Sequence, residues 1–237
     1  MVLPPPTRRK VQALTGLPIA YFLVLHLATH ASMHAGADAH RRVFLALRRM
    51  YNGHPLLEAA LLGSIAVHCA CAVDAYAELT HEQRVAMFFS GDWGSLAHRV
   101  SGWTLLSLVG GHVLATRAMP SLSNLVEAAY GWLPLKLLPE VFVPYYTVFL
   151  TAGAVHLVSG TARASKTLRG PGLDARSTRF WAATGALTAL ALSSVAALSG
   201  VYFPLEADPD VTRRVLASFA TYWPKQLLDV VVRRAGE

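Results

Sequence analysis

Charged residues are scarce in this chain. Asp, Glu, Lys and Arg make up only 15% of its 237 residues, against about 25% in ordinary soluble domains. With 54% hydrophobic content, it lacks the polar surface that a water-soluble globule needs, and that class is excluded. Cysteine is scarcer still. Cys69 and Cys71 are the only two. They stand two positions apart on an expected helix, so their side chains diverge and a disulfide between them is disfavoured. They read as small buried residues. No nucleic-acid-binding motif is present. The net charge of +7 is carried mostly by Arg and Lys in the connections, which is a topology signal rather than a nucleic-acid patch. The first ten residues hold three prolines and Arg8-Arg9-Lys10, too short and proline-rich for an amphipathic transit peptide. The apolar segment after them is not expected to be a cleavable signal, because it has a repeat partner inside the chain.

What the chain does have is long apolar runs. Five of them lie at about 11–30, 55–77, 98–118, 141–163 and 179–203. Each is long enough to cross a hydrocarbon core of about 30 Å at about 1.5 Å per residue. Pro18 lies in the early turns of the first. Between the first two, residues 42–51 have helical periodicity and are expected on the membrane surface. Trp93 is expected at an interface. Residues 119–140 are expected as a loop, and Gly170-Pro171-Gly172 as a turn. Asp208-Pro209-Asp210 opens an amphipathic tail with Val215, Leu216, Phe219, Tyr222 and Trp223. The expected fold is therefore an all-α membrane protein with five transmembrane helices in one domain, 1–237. It is a duplicated two-helix unit (11–77 and 98–163), a fifth helix (179–203) and a C-terminal tail (206–237). Arg and Lys favour the N-terminal side over the other side's connections, ten to six, which puts the N-terminus in the matrix or cytoplasm.

The duplication is visible in the residues. Thr15-Gly16 is followed by His26, and Ser101-Gly102 by His112, each histidine ten residues after its glycine. The two histidines are 86 positions apart. Ile65-Ala66-Val67-His68 and Gly153-Ala154-Val155-His156 end alike, 88 apart. Helical rise puts His26 and His112 at one depth, about 20 Å from the N-terminal side, and His68 and His156 at another, about 10–14 Å from it. Two histidines at one depth on two helices are what a bis-histidine haem b needs, and ionisable residues in membrane helices mark function. The expected axial pairs are His26 with His112 and His68 with His156, two haems in all. Nearby glycines would let the macrocycle approach. His26, His30 and His34 share a helix face, a spacing that also suits zinc or copper. Only His26 belongs to the repeat, so His30 reads as a supporting residue and His34 as interfacial. His40, His54 and His81 fall in connections and read as solvated loop residues.

From 93 to 203 the chain resembles the large membrane-anchor subunit of succinate dehydrogenase (complex II). Ser95-x-x-His98-Arg99-x-Ser101-Gly102 is similar to that family's S-x-x-H-R-x-[ST]-G, and His156-x-x-x-Gly160 to its haem-ligand H-x-x-x-G. Five helices with four spaced histidines resemble the single-chain, two-haem cytochrome b anchors of fumarate reductases. The resemblance implies quinone (ubiquinone or another) near Ser95, Arg99 and Ser101. It also implies flavoprotein and iron–sulfur partners, other membrane subunits, and a mitochondrial inner membrane or a bacterial cytoplasmic one. Asp74 and Tyr76 stand where that family's small anchor subunit carries an Asp-Tyr pair, though closer to the histidine and split by Ala75. The chain has no flavin or iron–sulfur motif, so the resemblance implies an anchor within a complex, not a complete enzyme. A similar duplicated H-R-x-[ST]-G layout marks a family of five-helix mitochondrial membrane proteins linked to lipid homeostasis. That leaves a haem-binding scaffold, or a haem-free anchor, as alternatives.

Overall fold

The computed structural model describes residues 4–52, 54–89, 92–117, 132–169, 177–206 and 208–222. Among these there is no strand. The helices are α1 (Pro5–Ala31), α2 (Ala37–Asn52), α3 (Pro55–Ala77), α4 (His81–Phe89), α5 (Trp93–Arg117), α6 (Leu133–Leu137), α7 (Pro139–Arg169), α8 (Thr178–Leu198) and α9 (Pro209–Tyr222). A short 3₁₀ turn, Ser32–Ala35, joins α1 to α2.

Four helical segments have the length and apolarity to cross a membrane: Pro5–Ala35, Pro55–Ala77, Pro139–Leu168 and Thr178–Leu198. Few of their residues are buried inside the protein, as expected where lipid covers the outer faces. The expected third span, α5, is 25 residues long, roughly 38 Å of helix. Its Ser, Thr, Gly, His and Arg residues make it less apolar than those four.

The ends of these helices have local causes. Proline opens α1, α3 and α6 in the first turn, where its missing N–H costs nothing. The first helix starts at Pro5, earlier than the expected Val11, and so includes Arg8. Ser177 caps α8 by accepting from the Phe180 N–H at 3.2 Å. Gly200, at φ 83°, turns the chain after Leu198, so the fifth apolar run ends as a turn rather than as helix to 203. Asp208 starts α9 through its Oδ1 and the Asp210 N–H, 2.8 Å apart. Trp223 and the side chains of Val215, Leu216, Phe219 and Tyr222 fall outside the described residues, as do 118–131 and the turn at 170–172.

The bundle is built around α1 and α7, which pack on each other. α3 lies against α1, α5 against α7, and α8 against both α7 and α1. The two-helix units are therefore α1/α3 and α5/α7, as the repeat implies. Most of the buried apolar core sits at the end away from the N-terminus. It joins Leu27, Met33, Leu150, Ala154, Val195 and Leu198 to Trp132, Leu133, Leu135, Leu137 and Leu138. Residues 132–138, expected as loop, are thus core: Trp132 is 4% and Leu133 1% exposed. α2 folds back over the ends of α1 and α3, and its own His40, expected as a solvated connection residue, is buried against α1 instead. His40 Nδ1 donates to the Thr29 carbonyl at 2.9 Å. Burial pushes its pKa down, and that hydrogen bond pulls the other way.

Candidate functional site

The structure brings the four repeated histidines together as two pairs. His68 on α3 and His156 on α7 have ring centroids 6.3 Å apart at 87°. His26 on α1 and His112 on α5 are 6.1 Å apart at 70°. Metal–imidazole bonds of about 2.0 Å on either side of one ion put two ring centroids roughly 6 Å apart. Both pairs meet that spacing.

The pair nearer the N-terminal side is held by a device that occurs twice. His68 Nδ1 donates to the Gln12 carbonyl at 3.0 Å, and a Cβ on Gly16 would meet the same ring at 3.4 Å. His156 Nδ1 donates to the His98 carbonyl at 3.2 Å, and a Cβ on Gly102 would meet that ring at 3.0 Å. Gln12 and His98 occupy equivalent places in the repeat, four residues before equivalent glycines. A carbonyl only accepts, so each bond fixes the tautomer with hydrogen on Nδ1 and leaves Nε2 with its lone pair. This is the usual support for a metal-ligating histidine. Neither Nε2 makes a hydrogen bond to any described residue.

The two halves are not identical. Where the first has Gln12, the second has His98, whose ring stacks on His156 with centroids 4.4 Å apart at 9°. His98 Nδ1 donates to Ser159 Oγ at 3.0 Å, while that hydroxyl donates to Val155 O at 2.7 Å. Gly160 lies under the same ring. Sequence reasoning gave His98 no role of its own.

A cavity of about 700 Å³ opens here between α1, α3, α5 and α7. His68, His98 and His156 line it, with Gly16, Gly102 and Gly160. Its deeper wall is apolar, including Leu23 and Leu106, and its N-terminal mouth carries Arg8, Arg9, Arg99 and Arg163. Volume, glycine walls and nitrogen lone pairs suit a flat macrocycle with anionic edge groups. Arg8 is balanced by Asp74 at 3.0 Å and Glu78 at 2.6 Å, and it holds the Glu78 carboxyl below its ordinary range. Arg9, Arg99 and Arg163 face the mouth with less acid nearby.

The other expected residues divide. Arg99 and Tyr76 line the cavity. Arg99 Nη1 donates to the Met87 carbonyl of α4, and Tyr76 meets Trp103 edge to face, centroids 5.0 Å apart. Ser95 and Ser101 are buried and Asp74 is tied to Arg8, and none of the three is among the lining residues. Ser95 Oγ donates to Asp92 and accepts from Arg163, and this bond from Ser95 keeps the Asp92 carboxyl below its usual range. Ser101 Oγ donates to the His98 carbonyl at 3.0 Å and lies 3.3 Å from His156 Nδ1, so it braces that ring both directly and through its acceptor. Tyr76 and Asp74 therefore part company, as the extra residue between them dictates on a helix.

The deeper pair is arranged differently. His26 Nε2 lies 3.2 Å from His30 Nε2, so one nitrogen of the expected ligand is engaged by another imidazole. His112 sits among Tyr146 and Phe149, ring centroids 6.3 and 5.1 Å away. Coordination by His26 would require it to leave His30. His34 bonds Ser193 of α8 at 2.8 Å, which fits a role at the bundle's end rather than in a ligand set. Among the described residues no cluster of three or more His, Cys, Asp or Glu forms a ready cage for a bare ion. Cys69 and Cys71 are free thiols.

Comparison of the chain with protein-family models, with curated proteins and with solved structures returns no match in any of the three.

Proposed function

We propose that this chain is a b-type cytochrome anchor of a succinate:quinone oxidoreductase, with five membrane crossings and haem held by His68 with His156 and by His26 with His112. The observation that carries this is the doubled support of the first pair: a carbonyl on each Nδ1, a glycine under each ring and a lone pair left on each Nε2. A packing role alone would not call for two tautomer-fixed imidazoles, each with a free nitrogen and with centroids 6.3 Å apart, in an apolar bundle.

Haem bound there would supply one-electron transfer between a peripheral donor and the membrane interior. The chain's own residues would do the rest. Gly16 and Gly102 leave room beside the imidazoles. Arg9, Arg99 and Arg163 offer positive charge to carboxylates or to a reduced quinone at the cavity mouth. Arg99, which lines the cavity, would donate to a quinone carbonyl, and Tyr76 with Trp103 forms one side wall. Iron–sulfur and flavoprotein partners would dock on the N-terminal face, in a mitochondrial inner membrane with that face toward the matrix, or in a bacterial cytoplasmic membrane.

One observation favours a second reading, a haem-binding membrane scaffold without quinone chemistry: Ser95, the serine of the quinone-site motif, is committed to Asp92 and Arg163 and lies off the cavity. Isolation of the full-length chain from its native membrane separates the two. Co-purification of flavoprotein and iron–sulfur subunits with a b-type spectrum is the expected result. A b-type spectrum without such partners selects the scaffold.

A further inference from the structure

We propose that the outer face of α2 is a docking surface for the headgroups of anionic phospholipids, on the side of the membrane away from the N-terminus. The inference is independent of the haem reading. It starts from position. α2 joins Pro5–Ala35 to Pro55–Ala77, two helical segments with the length and apolarity to cross a membrane. It packs on α1, on the 3₁₀ turn that follows α1, and on α3. A helix lying at the ends of two such segments sits where hydrocarbon gives way to headgroups.

The order of residues in α2 then divides its surface. Seven residues are close to two helical turns, so Arg41 and Arg48 line up, and so do Arg42 and Arg49. The four form one stripe, with Leu45 among them, while His40, Val43, Phe44 and Leu47 fall on the opposite side. His40 is buried and the other three apolar residues are half-buried, whereas Arg41, Arg42 and Arg49 are exposed. No hydrogen bond or ion pair joins these three arginines to another described residue. Arg48 lies over the Phe44 ring, its Cζ 5.9 Å from the centroid. The one carboxylate of α2 is Asp38 in its first turn, where it meets the positive end of the helix. The stripe therefore keeps a net positive charge. Next to it Met50, Leu56 and Leu57 are exposed. Exposed apolar side chains beside exposed arginines suit a bilayer boundary better than an acidic protein: the first enter the acyl region while the guanidinium forks take phosphate oxygens. Each basic residue close to an anionic lipid surface tightens the attraction about fivefold, which selects anionic over zwitterionic headgroups.

The test reconstitutes the full-length chain in phosphatidylcholine vesicles. EPR then compares how much spin-labelled phosphatidylglycerol and how much spin-labelled phosphatidylcholine the protein immobilises. The wild-type chain is expected to hold the anionic lipid in several-fold excess, and high salt to reduce that excess. Substituting Arg41, Arg42 and Arg49 together by Gln should remove most of it. Removing three exposed charges from the N-terminal side instead, with Lys10, Lys166 and Arg179 replaced by Gln, should remove much less. If the triple α2 variant does not accumulate, Arg42→Gln and Arg49→Gln are measured singly, and each should lose part of the excess. An excess that survives intact in the α2 variants overturns the proposal and leaves the stripe to an acidic protein. Equal losses in the two triple variants overturn it as well, because the preference would then follow net charge and not this surface.

Discussion

The two histidine layers use the same residue type in opposite ways. Near the N-terminal side, backbone carbonyls of Gln12 and His98 hold the rings, glycines flank them and a cavity opens beside their free nitrogens. Deeper in, histidine holds histidine, and aromatic rings fill in around His112. On the haem proposal, the first layer would need little rearrangement to coordinate. The second must break a hydrogen bond, worth about 1 kcal/mol net, before His26 can coordinate. Tautomer and orientation are set by whatever holds the other ring nitrogen, not by the histidine itself.

Breaking the comparison outright takes the ligands themselves. His156→Ala should remove the haem of the first layer and leave that of the second, halving the reduced b-type absorbance. His112→Ala should do the reverse. If either variant removed both, the layers would not be independent sites. A smaller effect separates the two halves of the first layer. Gly102→Ala places a methyl 3.0 Å from His156 and Gly16→Ala one 3.4 Å from His68, so the first must displace its ring and the second has nearly ordinary contact. Overpacking costs about 1–3 kcal/mol. Thermal unfolding of the full chain should show a clear loss for Gly102→Ala and a smaller one for Gly16→Ala, with haem retention following the same order.

Ser101→Ala should be milder. It removes the hydroxyl donor to the His98 carbonyl, at a cost of about 1 kcal/mol, and loosens His156 with no effect on the deeper layer, which ligand-band shape would report. The smallest effect concerns the ion pair at the cavity mouth. Arg8 lowers the Glu78 pKa below its ordinary 4.5, so this contribution is present above that value and is lost as pH falls through the depressed one. Glu78 is largely in solvent, where such pairs are weak. Glu78→Gln should slightly flatten the acid limb of stability against pH and leave the neutral range unchanged.

Much of this arrangement is legible in the sequence, for stated reasons. Histidine spacings of 86 and 88 with a rise of about 1.5 Å per residue place the four rings in two layers, and the structure pairs them that way. The glycine ten residues before a histidine turns out to serve a different ring: Gly16 faces His68 and Gly102 faces His156. A string repeat shows that a small residue recurs, not which neighbour needs the space. The acceptors on His68 and His156 are backbone atoms, so no residue type announces them. The one available hint was that Gln12 and His98 each precede an aligned glycine by four. Residues 132–138 are hidden for another reason. Pro134 inside the run and Pro139 just after it leave too short a stretch for a helical period, so a buried α6 reads as loop. Arg8 lies before the first apolar run, and only α1 starting at Pro5 brings it to Asp74.

The most direct test is the haem content of the purified full-length chain, read as the reduced-minus-oxidised difference spectrum per polypeptide. A b-type band equivalent to two haems, falling to one when His68 or His156 is replaced, is the predicted result. A wild-type chain with no b-type band would contradict the account, and the four paired histidines would then be packing residues.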